Sequence, residues 1–387
     1  MRYKIAIIYI DSGGGHRAAA NALTEVIRQQ NRPWDVQMVN IQDLLDSIDF
    51  IRKSTGIPFQ DVYNIMLRHG WTLGTAQLIP LMHLVIRMFH RQQVHVLERH
   101  WSHSRPDLVV SLIPHYNRAL KEALEHAWPG TPYVTILTDL ADYPPHFWIE
   151  RQDQFVICGS DRAMAQARQL GIPPSRIFQT SGMILSPKFY SPVHVDRAEE
   201  RRRLGLDPAL PTGLVLFGGE GSMEMLRIAK ALNVPNAGIQ LILLCGRHEK
   251  LASELRSLPR HIPMHVEGFT RDIPYFMELA DFFIGKPGPG SISEALAKHL
   301  PVIVQRNAWT LAHERFNADW VEENGFGVVV KGFDEIGDAV SRLLDPLNYA
   351  RLRKRVETVS NSAVYEIPQL LDRILKSPAE NLEPALV

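Results

Sequence analysis

The chain reads as an α/β protein built from two parallel-sheet units. Strand-like apolar runs alternate with helix-like segments almost from end to end, and that alternation makes a parallel sheet with helices on both faces. Glycine clusters also stand at three strand-to-helix turns, one in the first half of the chain and two in the second. A helix that opens after such a turn presents unpaired N–H groups and the positive end of its dipole, which is a place to hold a phosphate. One glycine turn is a weak motif. Three of them in this arrangement predict two nucleotide-type units facing each other.

The first unit opens with KIAIIYI, a buried strand, followed by DSGGGHRAAANALTEVI. Ala19, Leu23, Val26 and Ile27 give the second segment a helical stripe. Further strands are expected at 36–40, 107–112, 133–138, 154–158 and 177–180, with helices at 116–127 and 161–170. The stretch 186–213 is rich in proline and charge and reads as the connection between units. A second strand series is expected at 213–217, 239–245, 263–266, 281–285, 301–305 and 327–330, with helices at 223–233, 249–257 and 313–323. The resulting division is an N-terminal domain over 1–190 carrying an insertion at 50–105, a linker over 191–212, a C-terminal domain over 213–375 and a tail over 376–387.

The most informative turn is GKPGPGSISEALAKHLPVIV, Gly285 to Val304. Gly288 and Gly290 let the backbone pass close to a ligand, since no Cβ holds it off. Ser291 or Ser293 is expected as N-cap, with Glu294 in the first turn, where its carboxylate can reach neighbouring hydroxyls. A plain strand–turn–helix connection explains this turn about equally well on its own. A further glycine turn, GLVLFGGEGSM, spans 213–223.

The insertion fits neither unit. Projected on a helix, Leu81, Leu84, Val85 and Met88 share a face bordered by Phe89 and Val96, while His83, Arg87, His90 and Arg91 lie opposite. Between 84 and 105 there are four arginines, four histidines and a single acidic residue, Glu98. An apolar face backed by a basic one suits a helix lying in an anionic membrane interface, but by pattern alone a helix packed on the core is commoner.

Composition is that of a globular protein: 387 residues, 45% hydrophobic and 22% charged. Lys+Arg and Asp+Glu are 42 each, so no polyanionic partner such as nucleic acid is indicated. The two cysteines, Cys158 and Cys245, end apolar runs without CxxC spacing, which reads as buried thiols in a reducing compartment. The apolar run at the N-terminus is only about six residues, short for a signal peptide. Nothing approaches the roughly 18 consecutive apolar residues of a spanning helix. A cytoplasmic protein is expected, with any membrane contact peripheral.

Taken together, these residues resemble the monogalactosyldiacylglycerol synthase and processive diacylglycerol glucosyltransferase group, relatives of the MurG-type glycosyltransferases. The family's GGGHR-A-A pattern stands at Gly13–Ala20, and its TDL…H..W stretch at Thr138–Trp148. Its glycine turn stands at Phe217–Met223, a CGR step at Cys245–Arg247 and a GF turn at Gly268–Phe269. K.GPG.I.EAL is matched by Lys286–Leu296, and NG.G by Asn324–Gly327. The chain departs from the family at TLAHERFN, Thr310–Asn317, where PGQE..N is usual: Glu314 and Asn317 are kept and His313 replaces glutamine. SLIPHYNRAL at 111–120 is a polar, Arg-bearing variant on the acceptor side.

The resemblance implies the GT-B architecture, two Rossmann-like domains flanking a cleft, and an inverting transfer of hexose from a UDP-sugar to a lipid such as diacylglycerol. It implies donor contacts from Gly219, Arg247, Phe269, Gly288, Gly290, Ser291, Ile292, Glu294, His313 and Glu314. It implies acceptor or membrane contacts from Gly14, Gly15, His146, Trp148, Arg87 and Arg91. No cofactor and no metal are expected, since backbone N–H groups can hold the diphosphate and no DxD motif is present. His16 is the candidate general base, with helix capping or phosphate binding as its other reading, and Asp139 is the second choice as base or orienter. With a lipid acceptor in view, the 81–105 segment is expected on the anionic inner face of the cell membrane. The same fold also admits a sugar-nucleotide 2-epimerase or hydrolase, or a non-catalytic lipid- or nucleotide-binding relative.

Overall fold

The computed structural model describes residues 2–11, 14–46, 84, 86–143 and 145–376. They form two units. The first takes the chain up to Pro187 and again from Asn361; the second runs from Lys188 to Ser360.

The first unit holds β1 (Tyr3–Tyr9), β2 (Trp34–Asn40), β3 (Leu108–Ser111), β4 (Tyr133–Ile136), β5 (Phe155–Cys158) and β6 (Ile177–Gln179). All pairings are parallel, in the order β2-β1-β3-β4-β5-β6. Successive residues of β1 feed opposite faces, as strand geometry requires. Ile5 and Ile7 join the core under helices α1 (Gly15–Gln29) and α14 (Ala363–Lys376). Ala6 and Ile8 join the core under α2 (Ile41–Leu45), α3 (His90–His103) and α4 (Asn117–Ala127). Helix α5 (Asp161–Gln169) is capped by Ser160 and lies between β5 and β6 in the chain.

The second unit opens with α6 (Arg197–Arg203) and holds β7 (Thr212–Leu216), β8 (Gln240–Leu244), β9 (Met264–Glu267), β10 (Phe282–Gly285), β11 (Val302–Gln305) and β12 (Gly327–Val330). The order is β12-β11-β10-β7-β8-β9, again parallel throughout. Its helices are α7 (Glu224–Leu232), α8 (Glu249–Arg256), α9 (Ile273–Glu278), α10 (Pro289–Ala297), α11 (Arg315–Glu323), α12 (Ile336–Leu344) and α13 (Pro346–Val356).

Strand order locates the sites. In an open α/β sheet, ligands bind beyond the carboxyl ends of the strands where the winding reverses. In the first unit that point lies between β1 and β3, and in the second between β7 and β10. The glycine loops after β1, β7 and β10 all emerge there.

Two expectations about the division of the chain change. The expected linker 191–212 contains α6, which the second unit claims through a buried arginine. Arg201 is 6% exposed, donates to the carbonyls of Leu279 and Pro208, and pairs with Asp281 at 2.7 Å. The C-terminal domain does not extend to 375. Helix α14 returns to the first unit, where Ile367, Leu370, Leu371 and Ile374 are buried with Leu23 and Ile27 of α1. Its start is fixed by Glu366, which accepts from the backbone N–H of Ser181. The tail over 377–387 and the insertion over 50–83 lie outside the described residues.

The basic segment also divides. Val94, Leu97 and Trp101 of α3 are buried in the core, so this part is an ordinary packed helix. Leu84 and Met88, by contrast, are 55% and 69% exposed, with Arg87 and Arg91 exposed beside them. Leu81, His83 and Val85, also placed on the wheel, lie outside the described residues.

Candidate functional site

In the second unit, Leu216 and Val304 flank Gly285, so the chain leaves β7, β10 and β11 side by side. The first loop, 217–223, is interlocked with the turn after β8. The Arg247 N–H donates to the Gly219 carbonyl at 2.9 Å. Gly246 has φ +58, and a Cβ there would run into that same carbonyl. The Arg247 guanidinium pairs with Glu220 at 3.2 Å and lies 4.6 Å from the ring of Phe269, which is half exposed. An exposed aromatic face backed by a guanidinium suits stacking of a planar heterocycle.

The loop after β10 differs from expectation in detail. Gly288 is the N-cap and Pro289 the first helical residue of α10. Proline takes this place because its φ is preset and its missing N–H has no helical partner to lose. Ser291 and Ser293 therefore lie inside the helix, and Glu294 sits beyond the first turn. Ile292, expected as a donor contact, has a fully buried side chain, and its N–H donates to the Gly288 carbonyl. Gly290 needs no special φ, and a Cβ there would meet nothing within 4 Å among the described residues. The fold itself does not demand glycine at this point, so closeness to something outside the chain is the remaining use for it.

Glu294 stands out chemically. Its side chain is half-buried and makes no hydrogen bond or ion pair among the described residues. Burial alone pushes its carboxyl up to about 8. A carboxyl with no partner among the described residues fits a ligand that brings donors.

The loop is braced from α11. Lys286 Nζ donates to Glu314 Oε1 at 2.7 Å, and the Asn317 amide donates to the Pro287 carbonyl at 2.8 Å. Glu314 is 4% exposed, so the residue expected to face a hexose has one oxygen committed to the loop's own lysine. His313 is half-buried in the short turn before α11.

In the first unit, Gly14 starts α1 with φ +82, a left-handed backbone that glycine supplies without strain. Gly15 is exposed and His16 half-buried directly behind it. The His16 Nδ1 lies 3.0 Å from Thr138 Oγ1, and its ring centroid lies 5.7 Å from that of Trp148. Trp148 is fully buried, which removes it from the expected acceptor contacts. Its indole N–H instead donates to Asp139 at 2.8 Å. Trp148 thus stands between His16 and Asp139, touching both.

Two buried groups that no motif signalled fix this arrangement. Asp142 accepts the Trp148 backbone N–H at 2.7 Å and that of His146 at 3.3 Å; burial raises its carboxyl to about 6. Asn117 donates to the Trp148 carbonyl and accepts from Ser111 and Tyr133. His146 is exposed with φ +65. Burial raises the Glu150 carboxyl, and His146, Arg118, Arg87 and His90 draw it back down. Arg87 and His90 of the basic segment thus act on the same carboxyl as His146.

Residues 215–371 match the glycosyltransferase family 28 C-terminal domain. The chain is 30% identical over 383 residues to monogalactosyldiacylglycerol synthase 1 of Arabidopsis thaliana, covering 93% of this chain and 67% of that protein. It is 28% identical over 398 residues to the spinach (Spinacia oleracea) monogalactosyldiacylglycerol synthase, covering 96% and 73%. Among solved structures, MurG of Acinetobacter baumannii superposes with a TM-score of 0.61 at 14% identity, over 96% of this chain and 99% of that one. The two six-stranded parallel sheets are thus those of the GT-B glycosyltransferases, and likeness to the plant enzymes over nearly the whole chain makes this protein a member of the monogalactosyldiacylglycerol synthase family.

Proposed function

We propose that the protein transfers a hexose from a UDP-hexose to the hydroxyl of diacylglycerol, inverting the anomeric centre. The observation that carries the donor half is Glu294. An unsatisfied, half-buried carboxyl stands one turn beyond an open glycine loop, at the winding reversal of its sheet. Ribose hydroxyls would supply the donors it lacks. Phe269 and Arg247 would take the uracil, and the N–H groups of Gly290 and Ser291 the diphosphate. Gly219 and His313 complete the donor side, with Glu314 acting mainly as a brace. The acceptor half follows from the plant relatives, whose names specify the lipid product.

In the reaction, the acceptor oxygen attacks C1 of the hexose as the C1–O bond to the diphosphate breaks, and the bonding pair leaves with UDP. The acceptor's proton must go to a base. We assign that to His16: with Nδ1–H donated to Thr138, Nε2 keeps a lone pair for the proton. Asp139, which accepts from the indole of the Trp148 ring beside His16, is the second candidate as base or orienter. We propose that no metal takes part, the departing charge being met by helix α10 and its loop.

The acceptor is a bilayer lipid, so the protein has to meet a membrane. No helix among the described residues is long and apolar enough to cross one. Leu84 and Met88 lie four residues apart on one helical face and are exposed next to Arg87 and Arg91. That pair of faces suits the anionic interface, and we place it on the cytoplasmic side, where Cys158 and Cys245 stay reduced.

Calorimetric titration with UDP tests the donor reading. Losing a hydrogen bond to a charged group costs about 1.5–3 kcal/mol, so Glu294→Ala should weaken UDP binding by that amount. The ionised carboxylate is the form that accepts from hydroxyls, so wild-type affinity should rise from about pH 7 to about pH 9, with proton release. Glu294→Ala should lose that rise. Equal UDP affinity and equal pH response in both proteins would remove the ribose assignment.

A further inference from the structure

We infer that Lys286 is a ligand of the donor's diphosphate, its ammonium meeting the charge that builds on the departing nucleoside diphosphate. This rests on the donor reading and adds a residue to it. Lys286 is the first residue beyond β10, and its ammonium is fixed in place. It donates to Glu314 Oε1 at 2.7 Å, and the Glu314 side chain is 6% exposed against 32% for the lysine. The carboxylate is thus the buried anchor and the ammonium the presented group. What it is presented over is the glycine start of α10. A Cβ on Gly288 would lie 3.5 Å from Lys286 Cε and 3.8 Å from Nζ.

The nine-residue helix α10 begins there with N–H groups that have no helical acceptor. A second sign of an incomplete site lies behind the same loop. Asn317 is fully buried, its amide donates to the Pro287 carbonyl, and its Oδ1 has no partner among the described residues. A helix start carries only about half a positive charge. A diphosphate carries more than one negative charge, so an added cation at this point matches the ligand's demand. The geometry also explains why Glu314 is buried: it sets the position of the lysine more than it meets a sugar. As the C1–O bond breaks, the new charge sits on the β-phosphate oxygens, where an ammonium strengthens its bond without any proton transfer of its own.

The test compares UDP, measured by calorimetry, with uridine, measured by saturation-transfer NMR, in four proteins: wild type, Lys286→Met, Lys286→Arg and Glu314→Gln. Lys286→Met should weaken UDP on the order of ten- to a hundredfold, flatten the salt dependence of UDP binding, and leave uridine unchanged. Lys286→Arg should restore most of the UDP affinity. Glu314→Gln should keep the salt dependence, since the cation remains. If Lys286→Met and Glu314→Gln weaken UDP and uridine alike, the pair is only a brace and the inference fails while the donor reading stands. If the wild type binds neither compound, the donor reading fails and takes this inference with it.

Discussion

The base role proposed for His16 needs a fixed ring, and its neighbours supply one. Thr138 holds one ring nitrogen, and the Trp148 ring lies against the imidazole. Proton transfer in the transition state is worth roughly 10²–10⁴ in rate, so His16→Ala should lower kcat by that factor. UDP affinity should hold, because Glu294 and Phe269 belong to the other unit. Steady-state kinetics at saturating donor decides the matter: near-normal kcat with weakened UDP binding would make His16 a phosphate ligand. At this scale the glycine turns were readable because they put no side chain where one is cheap, whereas Glu294 was expected in the first turn of α10 and lies beyond it. Asp142 and Asn117 were not readable. Their importance comes from carbonyl and N–H partners thirty or so residues away in the case of Asn117, and from burial in the case of Asp142, and neither leaves a pattern in the sequence.

Among the elements, the 84–103 stretch shows how one helical pattern can serve two ends. The same basic, amphipathic spacing covers α3, whose apolar stripe is spent on the core, and the turn before it, whose stripe is exposed. The periodicity is the same in both, so only packing separates them. Leu97→Ala should therefore destabilise the fold by about 2–5 kcal/mol. Met88→Ser should fall within about 0.5 kcal/mol, as at a surface site. Combined with Arg87→Ser and Arg91→Ser, however, it should reduce sedimentation with anionic vesicles, each arginine contributing about 1 kcal/mol at low salt. Unchanged vesicle binding in the triple variant would leave the membrane contact to another surface. Helices α6 and α14 carry a related lesson. Proline and charge around 191–212 spoke for a solvated linker, yet Arg201 is buried because carbonyls and Asp281 satisfy its guanidinium. Helix α14 falls inside the expected C-terminal domain, yet its apolar stripe is buried in the core of the first unit.

For the molecule as a whole, every strand expected from the sequence is present, with ends shifted by a residue or two. Strands covered on both faces read as unbroken apolar runs, and this is why they were legible. Strand order was not written in any local pattern, yet it is the feature that brings the loops after β1 and β3, and those after β7 and β10, to the reversal points of their sheets. The central claim is that this pair of units joins a UDP-hexose to diacylglycerol. The most direct measurement is incubation of the purified protein with a panel of UDP-hexoses and diacylglycerol vesicles, followed by mass spectrometry of both the lipid and nucleotide fractions. The expected result is a hexosyl-diacylglycerol formed in step with free UDP, and no UDP release when diacylglycerol is left out. Epimerised sugar nucleotide, or UDP released without any glycolipid, would contradict it.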